Sequence, residues 1–189
     1  KNLLQSAVNT IKRYPFETLF ALAGTIAATI EIELNHLNRI SENWCMRTIM
    51  IANLGFLLSL SATLYTQSKG WKTTKIVLAK IAAAVIAVLF IFIINPPERQ
   101  ADYTRFFLLS LAFHLMVSFA AFTGKGQIRG FWQFNKTLFL RFLACMLYGV
   151  VLFAGLAAAI GATNFLFNFK FEWDTYQILW VWITGMFTT

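Results

Sequence analysis

Five stretches of this 189-residue chain contain no lysine, arginine, aspartate or glutamate: residues 48–68, 81–97, 106–124, 142–169 and 175–189. A soluble domain needs a charged outer face on nearly every element, and windows this long leave no room for one. A helix crossing the hydrocarbon core of a bilayer needs about 20 mostly apolar residues, which most of these windows supply. Composition agrees. The chain is 58% hydrophobic and 13% charged, against about half and about a quarter for ordinary soluble domains. The expected fold is an all-α, polytopic transmembrane helical bundle of about six spans, at residues 16–34, 46–66, 76–95, 104–123, 137–162 and 175–189. The last window, with fifteen residues, is short of a crossing. The chain is therefore expected to be a single transmembrane domain, the N-terminal part of a longer protein, with its last span truncated.

Local signals set the ends of these spans. Pro15 suits the first turn of a helix, where its missing N–H costs nothing. The first span is the weakest, because Glu17 and Glu31 flank its uncharged centre. Basic residues ahead of an apolar run containing "ALAG" also suit a signal peptide. The run continues through "TIAATI", however, and favours an uncleaved span. Residues 2–13 place Leu3, Leu4, Ala7, Val8 and Ile11 at helical spacing, as an interfacial amphipathic helix or a solvent-exposed terminus. "NPPER" ends the third span, since proline cannot extend a helix. The glycine-rich "GKGQIRG" reads as a hairpin loop, and "TNFLFNF" is expected to lie at the far interface after the fifth span.

The net charge of +8 raises nucleic acid as a partner, but its distribution points elsewhere. With the N-terminus cytoplasmic, the inner side holds Lys1, Lys12, Arg13, Lys69, Lys72, Lys75, Lys80, Lys125, Arg129, Lys136 and Arg141. The outer side keeps Arg39, Arg47, Arg99, Arg105 and Lys170. Lys and Arg in short loops set orientation, so the N-terminus is expected inside, facing the cytoplasm. The expected partner is the lipid bilayer, with anionic lipid at the cytoplasmic loops and no nucleic acid. Cys45 and Cys145 fall near opposite membrane faces, so no disulfide is expected between them.

Chemistry-bearing residues are few. His114 falls mid-span, where an ionisable residue is a site hypothesis by default; Asn53 and Ser59 are its candidate partners. The bland reading is a neutral imidazole bonded to a neighbouring helix. Glu31 and Glu33, with His36 and Glu42, form an acidic rim. It reads as a cation or substrate vestibule, as a metal site using His36 with a carboxylate (though metal sites need three or four converging ligands) or, more simply, as a solvated helix end, since the i,i+2 spacing parts Glu31 from Glu33. "GKGQIRG" lacks the phosphate-loop pattern, and no nucleophile elbow, metal-binding HExxH or paired-carboxylate motif occurs. No catalytic residue, cofactor or metal ligand is assigned, and an enzyme is not expected. Small residues at i,i+4 spacing, Gly24 and Ala28 in the first span and Gly155, Ala157, Ala159 and Gly161 in the fifth, permit close helix approach in lipid. The fifth span is accordingly expected at the centre of the bundle, with a hinge lining a substrate path as the functional alternative.

"RGFWQFNKTLFLRF", residues 129–142, reads as the cytoplasmic threshold of the fifth span. Trp132 suits the interfacial aromatic belt, and Lys136 and Arg141 can snorkel to headgroups. From residue 130 to 159 the chain resembles the bacterial membrane proteins of domain-of-unknown-function family 4153. The likeness rests on the aromatic–basic opening, the run Asn135, Leu138, Phe139 and Arg141, and the small-residue span with Tyr148 and Gly155. "KRYPFETLFAL" at residues 12–22 is similar too. The resemblance implies a multi-spanning inner-membrane protein, usually longer than this chain, and carries no catalytic residues. Two functional classes follow from the sequence: a transport or export component, or a non-catalytic membrane scaffold or sensor.

Overall fold

The computed structural model describes residues 5, 11–36, 44–95, 99–123, 128–167 and 171–187, without the side chains of His36, Met186 and Phe187. Six α-helices carry the fold: α1 (Pro15–His36), α2 (Trp44–Ser68), α3 (Thr73–Leu89), α4 (Ala101–Ala120), α5 (Ile128–Phe167) and α6 (Trp173–Phe187). A 3-10 turn, Phe90–Phe92, extends α3. No strand occurs among the described residues. Five helices, α1 to α5, are long and apolar enough to cross a membrane, and α6 has 15 residues. The all-α multi-span bundle is therefore present. Most of the amphipathic segment at residues 2–13 lies outside the described residues, as do Arg39, Glu42, Pro96, Pro97, Glu98, Lys170 and most of "GKGQIRG". Ile11–Arg13 is helical, and the chain bends at Tyr14 before Pro15 opens α1.

The helix at the centre is α2, which packs against α1, α3 and α4. Ten of its residues are buried, from Met50 to Thr66. This corrects the expectation that the fifth span is central: in α5, Gly149 is the one buried residue. The physical reason lies in which small residues are used. A Cβ on Gly24 would stand 3.0 Å from that of Ala52, and one on Gly55 would stand 2.5 Å from the Phe20 ring. Ala52, Gly55, Ser59 and Thr63 thus form one close-approach stripe of α2, meeting α1 antiparallel. In lipid there is no hydrophobic force between helices, and such stripes let backbones meet. Gly155 and Gly161 meet nothing within 4 Å, and Gly155 and Ala159 are exposed. Small residues permit contact without compelling it.

On the other side of α2, Met50, Leu54 and Ile94 form an apolar cluster with Met46, Phe90, Phe106, Leu109 and Phe113. The α2–α3 turn needs Gly70, whose φ of 62° suits glycine. α1 also receives α6, about a quarter-turn round from the α2 contact, where a Cβ on Gly185 would stand 2.1 Å from the Thr25 hydroxyl. Cys45 and Cys145 are free of disulfides.

The longest helix, α5, has 40 residues, about 60 Å at the rise of an α-helix, or twice the hydrocarbon thickness. "RGFWQFN" is part of it, so this stretch continues the span and is not a separate approach to it. Residues 163–167 likewise continue the helix; Asn168 and Phe169 lie outside the described residues.

Candidate intramembrane sites

Buried hydroxyls in a membrane helix usually donate to the carbonyl one turn back, and most here do so. The buried Thr25, Ser61 and Thr66, and the less buried Thr18, Thr29 and Thr48, each donate to the i−4 carbonyl at 2.6–2.9 Å. Two on α2 do not. Thr63 donates to the Glu17 carboxylate at 2.7 Å, in a buried contact between α2 and α1. Ser59, one turn away on the same face and fully buried, has no hydrogen-bond partner. Glu17 is 2% exposed, and its second oxygen, Oε2, is also buried without a partner. Just beyond lies a basic–aromatic layer. Lys80 is 7% exposed, and its ammonium donates to the Arg13 carbonyl at 3.4 Å and stands 5.9 Å from the Tyr14 ring. Arg13 donates to Gln67 at 3.3 Å.

In the sequence Glu17 reads only as a charge flanking the first span, not as part of a buried site. The signal available was the spacing of Gly55, Ser59 and Thr63 along one face of α2, opposite the only acid in the first turn of α1.

A second polar knot holds the opposite end. The carbonyls at the end of α3 have no helical partner, and arginines take them up: Arg47 donates to Ile94 O at 2.9 Å and also to Ile91 O, and Arg99 donates to Ile93 O at 2.7 Å. Asp102, with no accessible surface, accepts from the Asn95 N–H at 2.8 Å. It pairs with Arg105 at 2.7 Å and Arg99 at 3.2 Å. Apart from Asn95 Oδ1, which is buried without a partner, the groups of this knot are matched to a structural task, which marks it as a clasp between α2, α3 and α4.

His114 and Asn53 prove to be linked through a third residue. His114 Nδ1 bonds the Ser110 carbonyl of its own helix at 2.8 Å, and the Ser110 hydroxyl donates to Asn53 Oδ1 at 2.9 Å. His114 and Asn53 are both exposed. Ser59 faces α1 and is not a partner of His114, a correction to that pairing. Of the acidic rim, Glu31 is half-buried and Glu33 exposed; Glu42 and the His36 side chain lie outside the described residues.

α5 joins the bundle at two places. At its start, Gly130 lies beside Phe122, whose ring meets Phe131 and Phe134 at 6.2 and 5.3 Å. There Asn135 exchanges hydrogen bonds with Ser118, donating to its carbonyl at 3.3 Å and accepting from its hydroxyl. Farther along, Gly149 packs near Ile183 and Phe153 stacks edge-on against Trp180 at 5.2 Å. Between these points residues 136–148 are all exposed, including those on the face that Asn135 and Gly149 share. This face of α5 is therefore uncovered beyond its contact with α4. His114 stands one turn from Ser118 at its edge, and Phe139 one turn from Asn135 opposite. Trp132, 68% exposed, and Lys136 and Arg141 line the outer surface of α5.

No family model matches the chain, and neither does any curated protein or solved structure.

Proposed function

We propose that the chain is a component of a transport or export system of the bacterial inner membrane, with its N-terminus in the cytoplasm. The observation that carries this reading is the uncovered face of α5 at residues 136–148, which we read as one wall of an opening beside α4. Its rim bears the polar relay Asn53–Ser110–His114, and its far wall is apolar, with Leu138, Phe139 and Phe142 exposed. Polar groups aligned on one side of an apolar groove suit a solute with both characters. Orientation follows from the charges: Arg13, Lys69, Lys72, Lys75, Arg129 and Lys136 gather at the Pro15 end, where anionic headgroups are their partners. The likeness of residues 130–159 to family 4153 belongs with this reading. A non-catalytic scaffold or sensor is the second reading, favoured by the exposed Gly155 face of α5.

The test closes the opening. In a background with Cys45 and Cys145 replaced by serine, His114→Cys and Phe139→Cys are bridged by a short bismaleimide in membrane vesicles. Vesicles rich in the chain should take up labelled amphiphilic solutes faster than vesicles without it, and bridging should abolish the difference. Equal uptake with and without the chain, or uptake indifferent to bridging, refutes the transport reading.

A further inference from the structure

Glu17 Oε2 and Ser59 Oγ are buried at one helix interface, and neither has a hydrogen-bond partner. Leaving a buried polar group unmatched costs about 1–3 kcal/mol, and such groups call for an explanation. Their placement narrows it. Glu17 touches α2 at Thr63, and Phe20, almost one turn on, touches it at Gly55. Ser59 is midway between Thr63 and Gly55 on the same stripe, so its hydroxyl lies on the α1-facing side between those two contacts. The neighbouring buried hydroxyls of Ser61 and Thr66 are satisfied by their own helix; the two at the carboxylate are not spent in that way.

We propose that Glu17, Thr63 and Ser59 form a binding site for a small monovalent cation, with sodium the first to test. The donors are oxygens throughout: the carboxylate pair, the Thr63 hydroxyl through a lone pair while its proton stays on Glu17, and Ser59 Oγ. Hard cations take such ligands. One carboxylate balances one positive charge, which matters where charge is poorly screened. A divalent ion would leave an excess charge next to the cationic layer of Lys80 and Arg13. That layer lies on the side of the site toward Pro15. This inference rests on the transport reading for its purpose, since a cation bound inside the bundle is the usual means of coupling uptake to a gradient, but not for its chemistry.

The test uses dicyclohexylcarbodiimide on the whole chain in nanodiscs. The reagent adds to a protonated carboxyl: the acid proton goes to a carbodiimide nitrogen, the carboxyl oxygen bonds the central carbon, and the acyl group then shifts to nitrogen, with nothing leaving. A cation-bound carboxylate does not react. Glu17 should carry the label in peptide mass spectra, and sodium chloride in place of choline chloride, at fixed pH and ionic strength, should slow it. At a sodium concentration about ten times the dissociation constant, the rate should fall about tenfold. Ser59→Ala should lose this protection, while Ser59→Thr and Ser61→Ala should keep it. Labelling that ignores sodium, lithium and potassium and follows pH alone overturns the cation site in favour of simple proton exchange. Failure of Glu17 to label in the folded chain, with labelling after denaturation, overturns it in favour of a sealed structural carboxyl. Vesicle uptake distinguishes the two proposals: sodium protection without solute uptake refutes transport and leaves the cation site standing.

Discussion

Gly55→Ala adds one methyl group at the tightest described point between α1 and α2. That carbon would stand 2.5 Å from Cε1 of Phe20 and 2.7 Å from Cδ1 and Cζ. Carbon atoms settle at about 3.5–4.0 Å, so ring or helix must retreat by about 1 Å. The ring is 8% exposed and has little room to turn aside, which leaves helix separation. Overpacking of this kind costs about 2 kcal/mol. The same retreat stretches the 2.7 Å bond from Thr63 to Glu17 beyond hydrogen-bonding range, for about 1 kcal/mol more. Alanine repays part of this, being a better helix former than glycine by about 1 kcal/mol. Gly155→Ala makes the same chemical change on α5 where nothing lies within 4 Å, so it isolates the propensity gain. The two variants should differ by about 3 kcal/mol, the sum of the packing and hydrogen-bond costs. Reversible unfolding by sodium dodecyl sulfate in mixed micelles, followed by circular dichroism, measures both. Phe20→Leu in the Gly55→Ala background should recover part of the loss. Equal stabilities for the two glycine variants would refute the assignment of α2, and not α5, as the packed helix.

Other outcomes follow from the remaining contacts. Asn53→Ala removes one interhelical hydrogen bond and should cost about 0.6 kcal/mol in the same unfolding assay. His114→Ala, exposed and bonded to its own helix, should stay within about 0.5 kcal/mol of wild type while lowering vesicle uptake; a large loss of stability would return His114 to a packing role. Asp102→Ala should lower the thermal unfolding midpoint more than Arg99→Ala or Arg105→Ala. It removes the acceptor for three donors at once, whereas the guanidinium groups keep 52% and 58% of their surface in contact with the surroundings. Single cysteines at Trp71 and Ile128 should label from the cytoplasmic side and those at Trp44 and Trp173 from the other; the reverse pattern would invert the topology.

Charge-free windows made the spans readable, because a bilayer excludes charge more strictly than any soluble core selects for apolarity. Their ends moved unequally: α4 starts at Ala101, about three residues early, and α5 at Ile128, about nine residues early, since helices continue through interfacial charge that hydropathy treats as a stop. Packing was less readable. Gly24 was found at a real contact, but its partner stripe on α2 mixes alanine, glycine, serine and threonine, and its four-residue spacing is diluted by the large residues between. Gly155 and Gly161 carry a clearer pattern and meet nothing. Hydropathy also cannot tell a carboxylate at a helix end that faces water from one that faces a neighbour, which is why Glu17 read as a flank. Asn135, noted only for its likeness to a family pattern, turned out to be the residue that ties α5 to α4.

The two attachments of α5 have a mechanical consequence. It is held at Asn135 by α4 and near Phe153 by α6, and α6 is in turn seated on α1 at Thr25. If α5 moves as a rigid rod, it is a seesaw with its fulcrum at Phe153. The arm from Asn135 to the fulcrum is about 27 Å and the arm on to Phe167 about 21 Å. A shift of the end of α4 is therefore delivered to the other membrane face reversed in direction and at about four-fifths of its size, moving a tip whose Phe165 and Leu166 are 90% and 72% exposed.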